Sequence, residues 1–233
     1  MTEDPRYNQK MIAAKLKLLE RFKKEKAARV VSQERLRLPP GQTWTPGFPV
    51  LDLGVHPVFD PTTWRLRVFG EVENLLTLSW DEFQTLPRAR LTADFHCVTT
   101  WSKKDVSWGG VRMTDLIKRA RPKATANFVI QHCADGYTTN TSIFEAAHAD
   151  ALLADELDGK PLTVEHGGPV RMLIPTLYAW KSAKFLSALE FSPRDKPGYW
   201  EVRGYHNNAD PWKEERNGEP PADDGFAGAA EES

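Results

Sequence analysis

The sequence lacks the features by which a membrane, secreted or nucleic-acid-binding protein is usually recognised. None of its apolar runs approaches the roughly twenty residues that a transmembrane helix requires. Its 31 Lys and Arg almost balance its 32 Asp and Glu, so the net charge gives no indication of nucleic-acid binding. The N-terminus shows neither the apolar core of a signal peptide nor a twin-arginine pair, and we therefore expect a cytoplasmic protein.

Cysteine is also scarce, with only Cys97 and Cys133 among 233 residues. Cytoplasmic thiols are kept reduced, so a disulfide between these two is not expected. Structural zinc sites usually take their cysteines from closely spaced pairs, and the chain has none. The dipeptide His-Cys occurs twice, but neighbouring residues on a strand point to opposite faces, so each dipeptide would offer one ligand. A zinc site and a hydrolase with Cys97 as nucleophile and a histidine as base remain open alternatives.

Composition divides the chain into three regions. Residues 8–30 contain no Gly or Pro and carry apolar side chains at helical spacing, which predicts an amphipathic helix with basic outer faces. A proline-rich stretch follows and would end that helix. The residues after 213 are acidic and poor in large apolar side chains, which favours disorder. We therefore predict an N-terminal helical extension and linker, one folded domain and an acidic disordered tail, at residues 1–41, 42–213 and 214–233.

The central domain mixes strand and short-helix patterns without a regular β-α-β period, which predicts an α+β fold. Ser79 and Glu82 form a capping-box pattern at the start of one helix, and Thr114 is expected to cap another. The patterns predict strands at 63–72, 89–98, 127–133, 167–175 and 184–192, and helices at 77–86, 111–120 and 146–157.

Two parts of the domain carry chemistry. Cys97 stands where a predicted strand runs into a polar turn marked by Trp101, in DFHCVTTWSKKDVSWGGV. Further along, Arg171 lies in the apolar run PVRMLIP, where an unpaired charge would be costly, and YAWKSAK supplies a hydroxyl and two ammonium groups. A guanidinium fork, a hydroxyl and an ammonium group suit a bound phosphate, although ordinary solvated strand charges are the alternative. A thiolate together with a phosphate site suggests a metal held partly by a phosphorylated cofactor.

The segments that carry these residues resemble a known family. They are GQTWTPGFPVLDLG, DPTTWRLRVFGEV, FHCVTTWSKKDVSWGGV, HCADGYTT, HGGPVRMLIPTLYAWKSAKFLSALEF and GYWEVRGYHNNADPW. In their order and spacing the chain resembles the sulfite oxidase superfamily of molybdopterin-dependent oxidoreductases. Within it, the chain is most similar to small bacterial sulfite oxidase-like proteins, which are related to the catalytic subunit of periplasmic methionine sulfoxide reductase. The resemblance implies a mixed-sheet domain with a molybdenum–molybdopterin cofactor, and it implies that Cys97 ligates the metal.

The resemblance also assigns further residues to the cofactor. The family's contacts to pterin and phosphate fall on the segments HGGPVR and KSAK, and LDLGV would cradle the pterin from the other side. Animal sulfite oxidases and the periplasmic reductase have Asn near the position of Asp52. Cys133 ends a strand that contributes a cofactor contact in relatives, and a plain core cysteine is the alternative there. The implied cofactor-binding residues are Asp52, Leu53, Gly54, Cys97, Cys133, His166, Arg171, Ser182, Ala183 and Lys184.

The resemblance also implies the reaction, an oxygen-atom transfer with two electrons in which Cys97, Trp101 and His148 would line the catalytic site. Trp101 would wall the substrate pocket. The tyrosine with which animal sulfite oxidases bind an oxyanion falls near His148, so we expect little sulfite oxidation and favour an S-oxide or N-oxide as the small substrate. The chain has no C-x-x-C-H haem motif, so a separate electron donor or acceptor protein is expected. A non-catalytic protein that binds molybdopterin or a small anion is the alternative, and the presence of Cys97 favours catalysis.

Overall fold

The computed structural model describes residues 37–218, together with Lys10, Ala13, Ala14 and Lys17. Those four residues are helical and exposed, and the rest of the predicted N-terminal helix lies outside the described residues, as do residues 219–233. Within the described part of the chain, no helix is long and apolar enough to cross a membrane.

Two mixed β-sheets form the body of the protein. One has six strands in the order β1-β5-β8-β10, with β4 paired to β5 and β9 to β8; the other has five in the order β3-β2-β11-β6-β7. The pairs β1–β5 and β2–β11 are parallel, and the other pairs are antiparallel. The predicted α+β class with mixed sheets is confirmed. The strands are β1 Thr43–Trp44, β2 Arg65–Gly70, β3 Leu76–Ser79, β4 Arg88–His96, β5 Trp101–Arg112, β6 Phe128–Cys133, β7 Thr138–Ser142, β8 Leu152–Leu157, β9 Lys160–Pro161, β10 Arg171–Leu173 and β11 Leu186–Ser192.

Short helices join these strands. They are the α-helices α1 Trp80–Gln84, α2 Met113–Ala120 and α3 Ile143–Ala146, and the 3-10 helices Val164–His166, Ala179–Lys181 and Glu201–Arg203. The predicted capping box is present at α1: the Ser79 hydroxyl accepts from the Glu82 amide, and the Glu82 carboxylate accepts from the Ser79 amide. This reciprocal pair satisfies two amides that the first helical turn leaves unbonded, and it directs buried Phe83 towards the core.

Sequence alternation explains the second strand well. Leu66 and Val68 are buried, whereas Arg65 and Arg67 are exposed, as expected for a strand with one face on the core. The main apolar core lies around this strand and includes Phe83, Leu116, Val129, Leu189 and Phe191.

Two predicted features differ in kind in the structure. The segment 146–157 is not a helix: its second half is β8, which lies between β5 and β10, and Leu152 and Leu153 are fully buried there. A strand covered on both faces reads as a continuous apolar run, which periodicity cannot distinguish from a buried helix. Thr114 lies inside α2 rather than at its cap, since the N-cap is Arg112, which makes no side-chain capping bond.

The other differences concern length. The predicted strand at 167–175 is reduced to β10, because Gly167 has a φ of 97° and turns the chain before it. The polar stretch after Cys97 is a turn only as far as Thr100, and β5 then pairs with β4 from Ser102 opposite His96. Residues 214–218 also contact the body, since buried Arg216 donates to the Val98 carbonyl. The domain boundaries themselves stay a prediction.

Candidate active site

The turn between β4 and β5 presents the Cys97 thiol. We call residues 97–100 the thiolate turn. The Cys97 amide donates to the Trp101 carbonyl at 2.9 Å, and the Thr100 amide donates to the Cys97 carbonyl at 3.1 Å. Thr100 has a φ of 73°, a left-handed conformation that is uncommon for a β-branched residue. The Cys97 Sγ lies 3.1 Å from the Thr99 hydroxyl, and the residue is 6% exposed.

The thiol lines a pocket that holds about 750 Å³ of space not filled by atoms, part of it open to solvent. The lining combines apolar and aromatic side chains, several of them in one buried cluster with Cys97, and charged side chains. The lining residues used below are Phe48, Leu51, Asp52, Leu53, Phe95, Cys97, Val98, Trp101, Asp135, Tyr137, His166, Arg171, Trp180, Ser182, Ala183, Lys184, Trp200 and Tyr205.

Arg171 is the buried cation of this pocket. Its guanidinium donates to the carbonyls of His166 at 2.9 Å and Ser182 at 2.7 Å. Its Cζ also lies 5.2 Å from the centre of the Phe95 ring and 5.6 Å from that of Trp108. Within the described residues it forms no ion pair with a carboxylate, and it is 3% exposed.

The Arg171 side chain keeps its charge in this setting. Burial lowers its pKa to about 10, and Cys133 acts in the opposite direction. A buried cation that contacts carbonyl oxygens and ring faces retains a strong attraction for an anion, because its desolvation is only partly compensated. The pocket therefore favours an anionic group beside Arg171.

Lys184 is the second cation of the pocket. Its ammonium lies 3.3 Å from Asp52 Oδ2 and 2.5 Å from the Glu165 carbonyl. Gly167 packs against its stem: a Cβ there would lie 2.7 Å from Lys184 Cγ. The glycine thus lets the chain pass close to Lys184 in a left-handed conformation.

The other residues of KSAK are bonded within the protein. The Ser182 hydroxyl accepts from the Ile174 amide at 2.9 Å, and the Ala183 amide donates to the Gln131 side chain at 3.2 Å. Both residues line the pocket, but the Ala183 N–H is already used, so its predicted backbone contact to a phosphate stays a prediction. Lys181 is the other ammonium group of this segment. It does not line the pocket and forms an ion pair with Glu201 instead.

The segment LDLGV lies on the pocket as the resemblance implied, with Asp52 and Leu53 in its lining. Asp52 accepts from the Gly54 amide at 2.9 Å, from His56 Nε2 at 3.1 Å and from Lys184. Burial acts to raise the pKa of Asp52, but Lys184, His56 and the Gly54 amide outweigh it and lower the pKa. Gly54 supports the turn and is not itself part of the lining.

His166 and Trp101 also reach the pocket. The His166 ring centre lies 4.6 Å from that of Phe48, and burial, followed by the charges of Arg171 and Lys184, lowers the pKa of His166. The Trp101 ring also meets Phe48, edge to face at 6.0 Å, so that Phe48 joins the two predicted residues.

Asp135 is a pocket residue that the sequence interpretation missed. Its Oδ1 accepts from the Tyr137 amide at 3.0 Å, and burial raises the pKa of its carboxyl to about 6, with Asp52 contributing in the same direction. The signal was the Asp-Gly turn at the end of β6, which indicated only a turn. Trp200 and Tyr205 were missed as well, although their segment was part of the resemblance.

Besides Gly54, two predicted site residues are not brought to the pocket lining. Cys133 is buried in the same apolar cluster as Cys97, and burial, followed by Asp135, raises the pKa of its thiol well above the usual value. His148 follows α3, where its Nδ1 accepts from the Asp150 amide, and it is not among the lining residues. Their roles in cofactor binding and catalysis stay predictions. No group of three His, Cys, Asp or Glu that could hold a metal is found in the described residues, so the zinc alternative gains no support.

Comparison with known proteins decides between the remaining alternatives. Residues 53–200 match the family described as the oxidoreductase molybdopterin binding domain. The chain belongs to this family. It is an oxidoreductase of the sulfite oxidase superfamily, and its cofactor is molybdenum–molybdopterin.

Individual relatives agree with this assignment. The chain is 42% identical over 186 residues to the uncharacterized oxidoreductase YuiH of Bacillus subtilis, covering 79% of this chain and 94% of that protein. It is 29% identical to the protein-methionine-sulfoxide reductase catalytic subunit MsrP of Campylobacter jejuni, covering 66% of this chain and 59% of MsrP. It is 27% identical to human mitochondrial sulfite oxidase, covering 64% of this chain but 33% of that protein.

A solved structure supports the fold. The sulfane dehydrogenase SoxCD of Paracoccus pantotrophus superposes with a TM-score of 0.55 at 19% identity, over 62% of this chain and 42% of that one. The pocket also fits the cofactor of the family on its own geometry. A thiol suits a soft metal, and Arg171 and Lys184 suit a phosphate. Cys97 would hold the molybdenum, with Arg171, Lys184 and His166 towards the phosphate and Asp52, Leu53 and Asp135 along the pterin.

Proposed function

We propose that the protein catalyses oxygen-atom transfer with two electrons on a small neutral substrate, and that it reduces an S-oxide or N-oxide. The bound cofactor supplies the exchange of the oxygen atom and the electron pair. The protein supplies the thiolate of Cys97, the cations that hold the phosphate, and a shaped wall that admits the substrate.

The charge distribution of the pocket carries this proposal. Among the described residues, the basic side chains of the lining are His166, Arg171 and Lys184, and all three belong to the segments assigned to the phosphate. Lys103 and Lys104, which follow the thiolate turn, are engaged elsewhere: Lys103 donates to the Pro46 carbonyl at 3.0 Å, and the Lys104 ammonium lies 4.7 Å from the Trp44 ring centre. Sulfite would thus find few cations left to bind it.

The wall around Cys97 has the opposite character. Leu53, Val98, Trp180, Trp200 and Tyr205 belong to the same buried cluster as Cys97 and line the pocket beside it. An apolar, aromatic wall binds an uncharged group through its area and orients a polar S=O or N–O bond with few contacts. A dianion would lose its hydration there without compensation.

The source of the electrons and the place of action belong to the same proposal. We infer that a separate electron-transfer protein serves the cofactor and that the protein works in the cytoplasm. Cross-linking in cell extract to a flavin- or haem-containing protein, and fractionation of cells that make the full chain, would test these two points.

The direct experiment compares substrates on the molybdenum-loaded protein with a reduced viologen dye as electron donor. Methionine sulfoxide and trimethylamine N-oxide should oxidise the dye, and sulfite with an artificial acceptor should give little turnover. The Cys97→Ser variant, prepared in the same way, is the control: it measures the dye oxidation that does not depend on the Cys97 thiolate. Rapid sulfite oxidation at micromolar substrate, with no turnover of either oxide, would overturn the proposal.

A further inference from the structure

The thiolate turn is held from two distant parts of the chain. Gln42 Nε2 donates to the Cys97 carbonyl at 2.9 Å, and Arg216 donates to the Val98 carbonyl at 2.8 Å. Both side chains are buried, at 5% and 4% exposure. Two consecutive carbonyls of the turn are therefore fixed by buried side chains, one from each end of the described chain.

These two residues lie outside the family match. The match covers residues 53–200, whereas Gln42 precedes it and Arg216 follows it. Gln42 is 55 residues away from the carbonyl it binds, and Arg216 is 118 residues away. A contact this distant costs chain entropy, and burying a guanidinium costs hydration, so the arrangement must be stabilised by the contacts that it makes.

Arg216 contacts three parts of the chain, which are the thiolate turn, the N-terminal segment and the Tyr178 ring. It also donates to the Pro40 carbonyl at 3.1 Å, and its Cζ lies 4.8 Å from the centre of the Tyr178 ring. Tyr178 stacks on Trp180 at 5.4 Å with an interplanar angle of 13°, and Trp180 lines the pocket. Displacement of Arg216 would therefore disturb its contacts with the turn and the N-terminal segment, and through Tyr178 it would affect the packing of Trp180 in the pocket wall.

The backbone of the turn needs such support. Thr100 has a φ of 73°, which costs free energy for a β-branched residue and persists only where the surroundings impose it. The backbone fixes the direction of the Cα–Cβ bond of Cys97, and with it the few positions that Sγ can reach by rotation about that bond. Loss of either donor would let the Cys97–Val98 or the Val98–Thr99 peptide group rotate and would move the sulfur.

We propose that Gln42 and Arg216 are positioning residues that aim the Cys97 thiolate at the molybdenum by holding the two carbonyls of its turn. The proposal rests on the assignment of Cys97 as the metal ligand. It assigns a role to the segments on both sides of the family domain: they would hold the Cys97 thiolate in position for the metal without contacting the metal themselves. A misplacement of about 1 Å in such a bond can cost about a hundredfold in rate.

The experiment uses the molybdenum-loaded full chain and the variants Gln42→Leu, Arg216→Met and Arg216→Lys. Gln42→Leu and Arg216→Met remove the donors at similar size. Both should keep most of their molybdenum, because the phosphate contacts are unchanged, but should shift the thiolate-to-molybdenum absorption band. The value of kcat should fall roughly ten- to hundredfold while KM stays within about twofold. Arg216→Lys keeps one donor and should restore part of both losses.

Arg37→Gln is the matched control. Arg37 ties the same N-terminal region to the body through Asp94 at 2.7 Å and Asp105 at 2.8 Å, without a hydrogen bond to the thiolate turn. It should leave the band and kcat unchanged. An unshifted band in Gln42→Leu, or an equal shift in Arg37→Gln, would overturn the proposal, and Gln42→Leu decides alone if Arg216→Met does not fold. A Cys97→Ser protein that retains the band would instead remove the assignment on which the proposal rests.

Discussion

Lys181 and Glu201 form a fully buried ion pair directly behind the pocket wall. The Lys181 ammonium lies 2.7 Å from Glu201 Oε1, and the two side chains are 0% and 2% exposed. The same carboxylate oxygen accepts from Thr139 at 2.8 Å and from the Trp180 indole at 3.0 Å. The pair thus fixes Trp180, which lines the pocket.

Removal of one partner should therefore destabilise the protein strongly. Lys181→Met would leave Glu201 buried with neutral donors only, and we expect a loss of about 3–5 kcal/mol in the free energy of unfolding. Lys118→Met is the control, since its pair with Asp115 is 3.2 Å long and 76% exposed on the lysine side. That change should stay within about 0.5 kcal/mol. Urea unfolding measures both, and equal losses would contradict the role of the buried pair.

Asp135 should make stability depend on pH. Its folded-state pKa is about 6, above the ordinary value of 3.8, because burial penalises the charged carboxylate. Between these two values the folded protein holds a proton that the unfolded chain has released, so stability falls as pH rises through this window and levels off above it. Asp135→Asn keeps an oxygen for the Tyr137 amide and removes the titration.

The measurement is the free energy of unfolding of cofactor-free protein at two pH values, about 4.5 and about 7.5. The first lies below and the second above the folded-state pKa of Asp135, which is about 6. The difference between wild type and Asp135→Asn should favour the variant at the higher pH and shrink at the lower pH. A difference that does not change with pH would show that Asp135 titrates normally.

Gly167 should matter for cofactor retention because of its contact with Lys184. A Cβ at Gly167 would lie 2.7 Å from Lys184 Cγ, and its φ is 97°. Gly159 is the matched control, since its φ is 75° but nothing lies within 4 Å of a Cβ there. Both Ala variants carry backbone strain of about 1–2 kcal/mol, but only Gly167→Ala should displace Lys184 and lower the molybdenum content per chain. Equal contents in the two variants would contradict this role of Lys184.

Much of the fold and part of the site could be predicted from the sequence. The alternating strand at residues 65–70, the capping box at Ser79 and the thiol at the end of a strand are local patterns, and the structure contains all three, whereas the predicted Thr114 cap does not form. β8 was read as a helix because burial on both faces erases alternation. Asp135 was missed because the raised pKa of its carboxyl results from burial by residues distant in sequence, and no local sequence pattern indicates that burial.

The contacts of Arg171 show the same limit. Its position in an apolar run predicted a buried charge that needs a partner, and the structure confirms the burial. That its present partners are three carbonyls and two ring faces could not be predicted, because Phe95, Trp108 and Ser182 come from separate strands and loops.

The central claim is that Cys97 ligates the metal while Arg171 holds the phosphate end of the cofactor. Arg171→Ala removes a charge-assisted contact worth roughly 2–5 kcal/mol when its partner stays buried. At about tenfold in affinity per 1.4 kcal/mol, this variant should purify largely without molybdenum and pterin. Cys97→Ser leaves the phosphate contacts intact and should keep much of its pterin.

The most direct measurement is molybdenum and pterin content per chain, with the optical spectrum, for Cys97→Ser and for Cys133→Ser as the matched control. Cys133 belongs to the same buried cluster as Cys97 but does not line the pocket. If it is a plain core cysteine, its variant should keep the metal, the thiolate-to-molybdenum band and turnover. Cys97→Ser should keep pterin and lose both the band and turnover. If Cys97→Ser keeps its full activity and an unchanged spectrum, Cys97 is not the ligand and this account of the site is wrong.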